Sequence, residues 1–323
     1  MSTARRYRVF ATVEAAGTSP RYELLARSIA ADREICERLD ALPGPKRQPN
    51  LLFGAVQYLG GPTIGWEEFR GFLTQEWSAV EAVVVERSTQ TNEAARAGIL
   101  LPLLAQLPRP LALLEVGPSA GLCLQPDRYQ YSYDGVIVGD PSPVRIAVRT
   151  DGPVPVPTAV PEVVWRVGID RNPLDVRHPD DLAWLRALVW PEHHERRARL
   201  DAAARIAAAE PPELVTGDLV ENLETVARSA PPDATTVVFH SAVLSYLSPA
   251  QRARFAAIVE GLPQVVWISN EFPGVIEGLT TSLRPPAFAS TPAYFELGVG
   301  GKSVPGIGDP HGAWLSWRRD PRG

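Results

Sequence analysis

After Pro108 the chain alternates short apolar runs with stretches of helical periodicity. The apolar runs are LALLEVG, VVWRVGID, PELVTGDL, TTVVFHSAVLSYL and QVVWISNE, and helical stretches such as ENLETVARSA and PAQRARFAAIVEGL separate the later ones. Strands that alternate with helices favour a sheet of mostly parallel strands with helices on both faces. We therefore predict an α/β fold with a Rossmann-like, doubly wound, mostly parallel sheet.

The residues before this alternation follow a different pattern. From Arg21 to Leu107 the apolar residues recur at helical spacing, with an interruption at the proline-rich stretch LPGPKRQPN. This predicts an N-terminal helical subdomain over residues 1–107 and the α/β domain over residues 108–323. Within the second domain, residues from about 125 to 162 contain tyrosines, prolines and alternating apolar residues without a helical period, which predicts a β-rich insertion.

Composition and charge restrict the possible partners. The chain has 323 residues, 45% of them hydrophobic, and a net charge of −5. An acidic chain offers no positive field to a phosphate backbone, so we expect a small-molecule substrate and no nucleic acid. No stretch approaches the roughly 20 apolar residues that span a bilayer. We therefore expect a cytoplasmic protein that does not bind a membrane, and its oligomeric state stays open.

Metal ligands are few. Cys36 and Cys123 are the only cysteines in the chain, too few for a disulfide framework or a zinc cluster. His193 and His194 are adjacent in a predicted helix, where neighbouring side chains point about 100° apart and cannot easily share an ion. We predict no metal site.

Polar side chains follow the predicted strands at their carboxyl ends. In a doubly wound sheet these ends lie at one edge, where ligands bind. Carboxylates at that edge accept hydrogen bonds from a ribose diol, an adenine amino group or a substrate amine, and they repel phosphate. The pattern therefore favours a nucleoside without phosphates. The strand-end residues are Glu115, Asp170, Asp218, His240 and Glu271.

The first strand ends in a turn of small residues, Gly117-Pro-Ser-Ala-Gly121. A strand that ends in such a turn before a helix exposes backbone N–H groups, which often hold polar ligands. The turn lacks the Lys-Ser/Thr pair of a P-loop and the full G-x-G-x-x-G spacing. Among nucleoside ligands, S-adenosylmethionine fits this combination best.

From about Ala95 to Pro273 the chain resembles the class I S-adenosylmethionine-dependent methyltransferases. LLEVGPSAGL stands where that family has an acid-x-Gly-x-Gly-x-Gly motif, with Pro118 and Ser119 in the region of its second glycine. The resemblance implies a methyltransferase acting on a small-molecule oxygen or nitrogen acceptor. It also implies that the cofactor is held by residues of the turn, the strand ends and a preceding lid, namely Glu115, Gly117, Ser119, Ala120, Gly121, Asp170, Asp218 and Asn92.

Nearly the whole chain is also similar to the bacterial family known as domain of unknown function 2332. The similar segments are ERSTQTNEAAR, EVGPSAGLCL, GIDRNPLDV, WLRALVWPEHHERRARL, AVLSYL and HGAWLSW. That family implies no activity of its own.

Two strand-end residues are candidates for the general base that takes a proton from the methyl acceptor. His240 is preferred because its unperturbed pKa of ~6.5 suits proton removal near neutrality, and Glu271 is the alternative. Each site residue also has a purely structural interpretation. His240 fits a hydrogen-bonded core histidine, and Asp170 and Asp218 fit turn formers or helix caps.

Three other classes of protein remain open. One is a non-catalytic nucleoside-binding protein that retains the fold. An NAD(P)-dependent oxidoreductase is disfavoured because the insertion removes the acid expected about 20 residues after the glycines. A serine hydrolase with Ser119 in a G-x-S-x-G elbow, followed by Asp218 and His240, has the right chain order, but the last two residues are close together for that fold.

Overall fold

The computed structural model describes residues 2–108 and 110–318. The chain divides into two compact units, one formed by the residues up to Thr91 with Arg177–Ala198, the other by Asn92–Val176 with the residues from Arg199 onward. The α-helices are α1 (Thr3–Val9), α2 (Pro20–Ala31), α3 (Arg33–Ala41), α4 (Pro49–Tyr58), α5 (Trp66–Gln75), α6 (Trp77–Glu86), α7 (Arg96–Leu104), α8 (Pro179–Ala187), α9 (His194–Ala209), α10 (Leu223–Ala227) and α11 (Pro249–Gly261).

The first unit is helical, as the apolar spacing of its sequence predicts. Ser19 accepts a hydrogen bond from the Tyr22 N–H and so caps α2, which begins with a proline at the position where proline is best tolerated. The core centres on Phe53, whose ring lies 4.3 Å from that of Tyr22. Gly54 lets α4 pack closely on Leu188, since a Cβ at that position would lie 2.9 Å from Leu188 Cδ2 and displace that side chain.

The second unit contains an 11-stranded sheet in the described part of the chain. Its strands are β1 (Leu111–Val116), β2 (Gln130–Tyr133), β3 (Val136–Val138), β4 (Arg145–Asp151), β5 (Val163–Asp170), β6 (Glu213–Thr216), β7 (Thr235–Ser241), β8 (Val265–Glu271), β9 (Phe295–Val299), β10 (Lys302–Gly308) and β11 (Trp314–Trp317). Their order is β3-β2-β4-β11-β10-β9-β8-β7-β1-β5-β6.

The sheet is mostly parallel, which confirms the mixed α/β class. β6, β5, β1, β7 and β8 are parallel neighbours, whereas β8, β9, β10 and β11 pair antiparallel. All six residues of β1 are buried, as expected for a central strand of a parallel sheet. The predicted β-rich segment contains β2, β3 and β4, which extend the same sheet beyond β11.

The observed units differ from the two predicted domains at their edges. α7, which the apolar spacing groups with the N-terminal helices, belongs to the second unit, and α8 belongs to the first. α7 lies against β4, since a Cβ on Gly98 would come within 2.7 Å of Val148 Cγ2. Within residues 2–108 and 110–318, none of the helices combines the length and apolarity needed to cross a membrane.

Candidate functional site

The carboxyl ends of β1 and β7 lie side by side in the middle of the parallel run of strands β8-β7-β1-β5-β6. In register, Glu115 pairs with Phe239 and Val116 with His240. From this point the later strands extend in both directions, β5 and β6 to one side and β8 to the other. Ligands in open α/β sheets bind at such a switch in strand order. The loops after β1 and β7 therefore define the candidate site.

The turn after β1 is built from left-handed residues. Gly117, Ser119 and Gly121 have φ values of 72°, 53° and 70°. Ser119 is the one residue of these three that is not glycine, and a left-handed backbone costs free energy in residues with a Cβ. Such strain is frequent at functional sites. Ala242, in the loop after β7, is also left-handed, with φ of 60°. Strained backbone thus occurs on both sides of the switch point.

The two turn glycines make room for other parts of the protein. A Cβ on Gly117 would lie 2.6 Å from Val243 Cγ2, and a Cβ on Gly121 would lie 2.7 Å from Pro212 Cγ. The contact at Gly117 joins the turn after β1 to the loop after β7. Any substitution here would displace protein atoms.

Backbone N–H groups of the turn are already hydrogen-bonded within the protein. Gly117 donates to the Ile169 carbonyl at 2.9 Å, and Gly121 donates to the Pro118 carbonyl at 2.9 Å. The N–H groups of Ser119 and Ala120 donate to the side chains of Asp170 and Asn92. Pro118 has no N–H to offer. The amide cradle expected from the sequence is therefore internally satisfied.

Asn92 and Asp170 are the side chains that hold this turn. Asp170 Oδ2 accepts from the Ser119 N–H at 2.9 Å, and its Oδ1 accepts from the Asn172 N–H at 2.9 Å. Asn92 Oδ1 accepts from the Ala120 N–H at 3.1 Å, and its Nδ2 donates to Ser119 Oγ. Asp170 thus joins the ends of β1 and β5, and Asn92 fastens the segment before α7 to the turn.

Asp218, after β6, adopts its predicted structural role. It accepts from the N–H groups of Val220 and Glu221 and pairs with Arg171, whose hydrogen bond lowers the pKa of the Asp218 carboxyl. The carboxylate is half-buried. It keeps lone pairs that a bound ligand can use.

The surroundings of His240 do not support its predicted role as a general base. The ring is fully buried, with Nδ1 2.7 Å from Glu271 Oε1 and Nε2 2.9 Å from Trp267 Nε1. Because the indole N–H can only donate, Nε2 accepts and Nδ1 carries the proton that it donates to Glu271. Both ring nitrogens are occupied, so His240 has no position at which to receive a proton from a substrate. This geometry is that of the hydrogen-bonded core histidine.

Glu271, the alternative base, holds the loop after β7. Its Oε1 also accepts from the N–H groups of Val243 and Leu244, at 2.8 and 2.9 Å. The side chain is fully buried, and Oε2 has no hydrogen-bond partner among the described residues. Glu271 therefore positions Val243 against Gly117.

The Ser119 hydroxyl lacks the surroundings of a hydrolase nucleophile. Its partner is the amide of Asn92, and His240 is engaged with Trp267 and Glu271. A triad requires a base within hydrogen-bond reach of the serine. The serine hydrolase hypothesis has no support in the described part of the chain.

Two buried charged residues, Arg96 and Glu115, lie near each other at the edge of the site. Arg96 is 6% exposed and donates to the carbonyls of Pro310 and Ser241, at 2.8 and 3.1 Å. No carboxylate of the described residues lies within ion-pair distance of its guanidinium. Burial raises the pKa of Glu115 to about 8, although the charge of Arg96 acts to lower it. Arg96 is therefore a buried cation without an ion-pair partner.

Unpaired hydrogen-bond acceptors accompany this cation. Glu115 Oε2 and Asn270 Oδ1 are buried and have no partner among the described residues, while Asn270 Nδ2 donates to Ser241 Oγ at 2.9 Å. Buried polar atoms without partners are rare in folded proteins and require an explanation. The sequence alone assigns no role to Arg96 or Asn270, although Arg96 ends the polar segment ERSTQTNEAAR and Asn270 lies at a predicted strand end.

The fold and this site define a mixed α/β protein with a polar, partly unpaired cluster where its central strands end. The chain belongs to a bacterial family described as an uncharacterized protein conserved in bacteria (DUF2332), whose family model matches residues 4–317. This confirms the family predicted from the sequence. Neither the curated proteins nor the solved structures include a match to the chain.

Proposed function

We propose that the chain is an S-adenosylmethionine-dependent methyltransferase of a small-molecule oxygen or nitrogen acceptor. The order of its central strands carries this proposal. Without the inserted strands β2–β4, the parallel strands lie in the order β6-β5-β1-β7-β8. Numbered along the chain, these are the third, second, first, fourth and fifth strands. A sheet in this order binds nucleotide ligands at the crevice beside its first strand. Asp170 ends β5, which pairs with β1, and Asp218 follows β6, the next strand out.

The side chains of the site suit the polar groups of this cofactor. Asp170 has lone pairs for the ribose hydroxyls and Asp218 for the adenine amino group. Glu115 and Asn270 offer unpaired acceptors to an ammonium group, and Arg96 is a buried cation without an ion-pair partner that could pair with a carboxylate. Because the turn amides are bonded within the protein, the binding contacts fall to side chains.

When bound, the cofactor supplies a methyl group already activated by its sulfonium. The residues of the chain then have to bind the cofactor, orient the methyl acceptor and exclude water. Asn92 and Asp170 hold the turn in place, and Glu271 holds the facing loop. Glu115 would release its proton to solvent beside a bound ammonium group, because a nearby cation favours the ionised carboxylate.

Calorimetry with S-adenosylmethionine and S-adenosylhomocysteine tests this proposal, with NADH and ATP as comparison ligands. Asp170→Ala should weaken binding of both sulfur ligands by about 1–3 kcal/mol, because it removes acceptors for the ribose hydroxyls and the bond to the Ser119 N–H that holds the turn. The matched control is Asp233→Ala, which removes an exposed acid before the opposite end of β7. Binding of NADH with no response to either sulfur ligand at millimolar concentration would contradict the proposal.

The surroundings of His240 and Glu271 favour a second candidate, a nucleoside-binding protein without catalysis. Both ring nitrogens of His240 and Oε1 of Glu271 are occupied by hydrogen bonds within the protein, and Oε2 of Glu271 is buried. A screen of hydroxyl and amine acceptors with radiolabelled S-adenosylmethionine separates the two functions. Methyl transfer to any acceptor supports the enzyme. Cofactor binding without transfer supports the binding protein.

A further inference from the structure

A cavity of about 370 Å³ lies beside α11 in the second unit. Its apolar walls include Leu244, Ala256, Trp267 and Ile276. This volume is within the range of pockets that hold small molecules. None of the strand-end residues predicted from the sequence lines it.

Three charged side chains line this cavity. Arg252 donates to the Val275 carbonyl at 2.8 Å, whereas its Nε is buried and has no hydrogen-bond partner among the described residues. Glu260 and Glu277 are exposed side chains at the same cavity. Within the described ranges, Arg252 lies within ion-pair distance of no carboxylate. The cavity thus presents a cation without an ion-pair partner and two carboxylates beside an apolar wall.

Hydrogen bonds inside the protein fix two parts of this wall. The Trp267 indole N–H donates to His240, and the Leu244 N–H donates to Glu271. Both side chains are buried, at 3% and 1% exposure. A wall held in this way loses little conformational entropy when a ligand binds.

We propose that this cavity binds a small zwitterion with an apolar body, of the class of apolar α-amino acids. The ligand carboxylate pairs with Arg252, and its ammonium group lies between Glu260 and Glu277. Its apolar side chain packs against apolar lining residues that are not fully buried, namely Pro249, Ala256 and Val275. This inference does not depend on the proposed methyltransferase activity.

Calorimetry with leucine, valine and phenylalanine tests the inference on the full chain. At least one of these amino acids should bind. The analogue without the ammonium group and the analogue without the carboxylate, 4-methylpentanoate and 3-methylbutylamine for leucine, should bind about tenfold more weakly or worse. Equal binding of the amine and the amino acid would overturn the role of Arg252. No binding of any of the three amino acids at millimolar concentration would overturn the proposal itself.

Variants on α11 give an independent test. Arg252→Gln should weaken amino-acid binding by about tenfold or more, because it removes a charge-assisted hydrogen bond. Arg254→Gln is the matched control, since Arg254 is exposed on the same helix and does not line the cavity. Equal losses in the two variants would overturn the assignment. If Arg252→Gln does not fold, the analogue series on the unmodified chain decides the question.

Discussion

Replacing His240 with alanine is expected to lower the free energy of unfolding by about 3–5 kcal/mol. The substitution leaves a cavity in the core and removes the partner of both the Trp267 N–H and the Glu271 carboxylate. Glu271 then loses a hydrogen bond that helps to hold it beneath Val243 and Leu244. Urea denaturation at neutral pH measures the change.

Two further variants test whether the lost core contacts of His240 cause the destabilisation. Trp267→Phe keeps a ring in place and removes one donor, so it should destabilise the protein less than His240→Ala does. His178→Ala is the control, because the His178 side chain is 71% exposed, and its effect should stay within about 0.5 kcal/mol. A His240→Ala protein of unchanged stability that loses turnover with an identified acceptor would restore the general-base hypothesis.

Glu115→Gln should stabilise the protein increasingly as the pH rises from about 5 to about 8. The folded chain holds a proton on Glu115 up to a pKa of about 8, whereas the ordinary value is 4.5. Between these values the folded state binds a proton that the unfolded state has released, so stability falls as the pH rises. The loss is at most about 1.4 kcal/mol per pH unit, or up to ~4 kcal/mol over this range, and it levels off above the folded pKa.

Unfolding curves of the two proteins across this pH range give the measurement. Near pH 5 the folded wild type carries a neutral Glu115, so the comparison with glutamine there is the internal control. The difference in free energy between variant and wild type should grow toward pH 8. A constant difference across the range would mean that Glu115 is ionised in the folded protein at neutral pH.

Arg96 and Glu115 differ in how far the sequence predicts their positions. Glu115, Asp170 and Asp218 lie at or beside strand ends that the apolar runs of the sequence predict. Arg96 was missed because it lies at the start of a helix whose sequence is otherwise apolar. Its burial depends on carbonyls of residues 241 and 310, far along the chain.

The sequence by itself determined the local elements of this protein. Alternating apolar runs and helical stretches predict the parallel central strands, and a G-x-S-x-G segment predicts a tight turn after β1, because these patterns depend on neighbours within a few residues. The tertiary structure alone decided which partners those residues meet. The bonds of His240 to Trp267 and Glu271 join side chains of neighbouring strands. Local periodicity carries no information about such pairs, since they arise only when strand register and packing bring distant residues together.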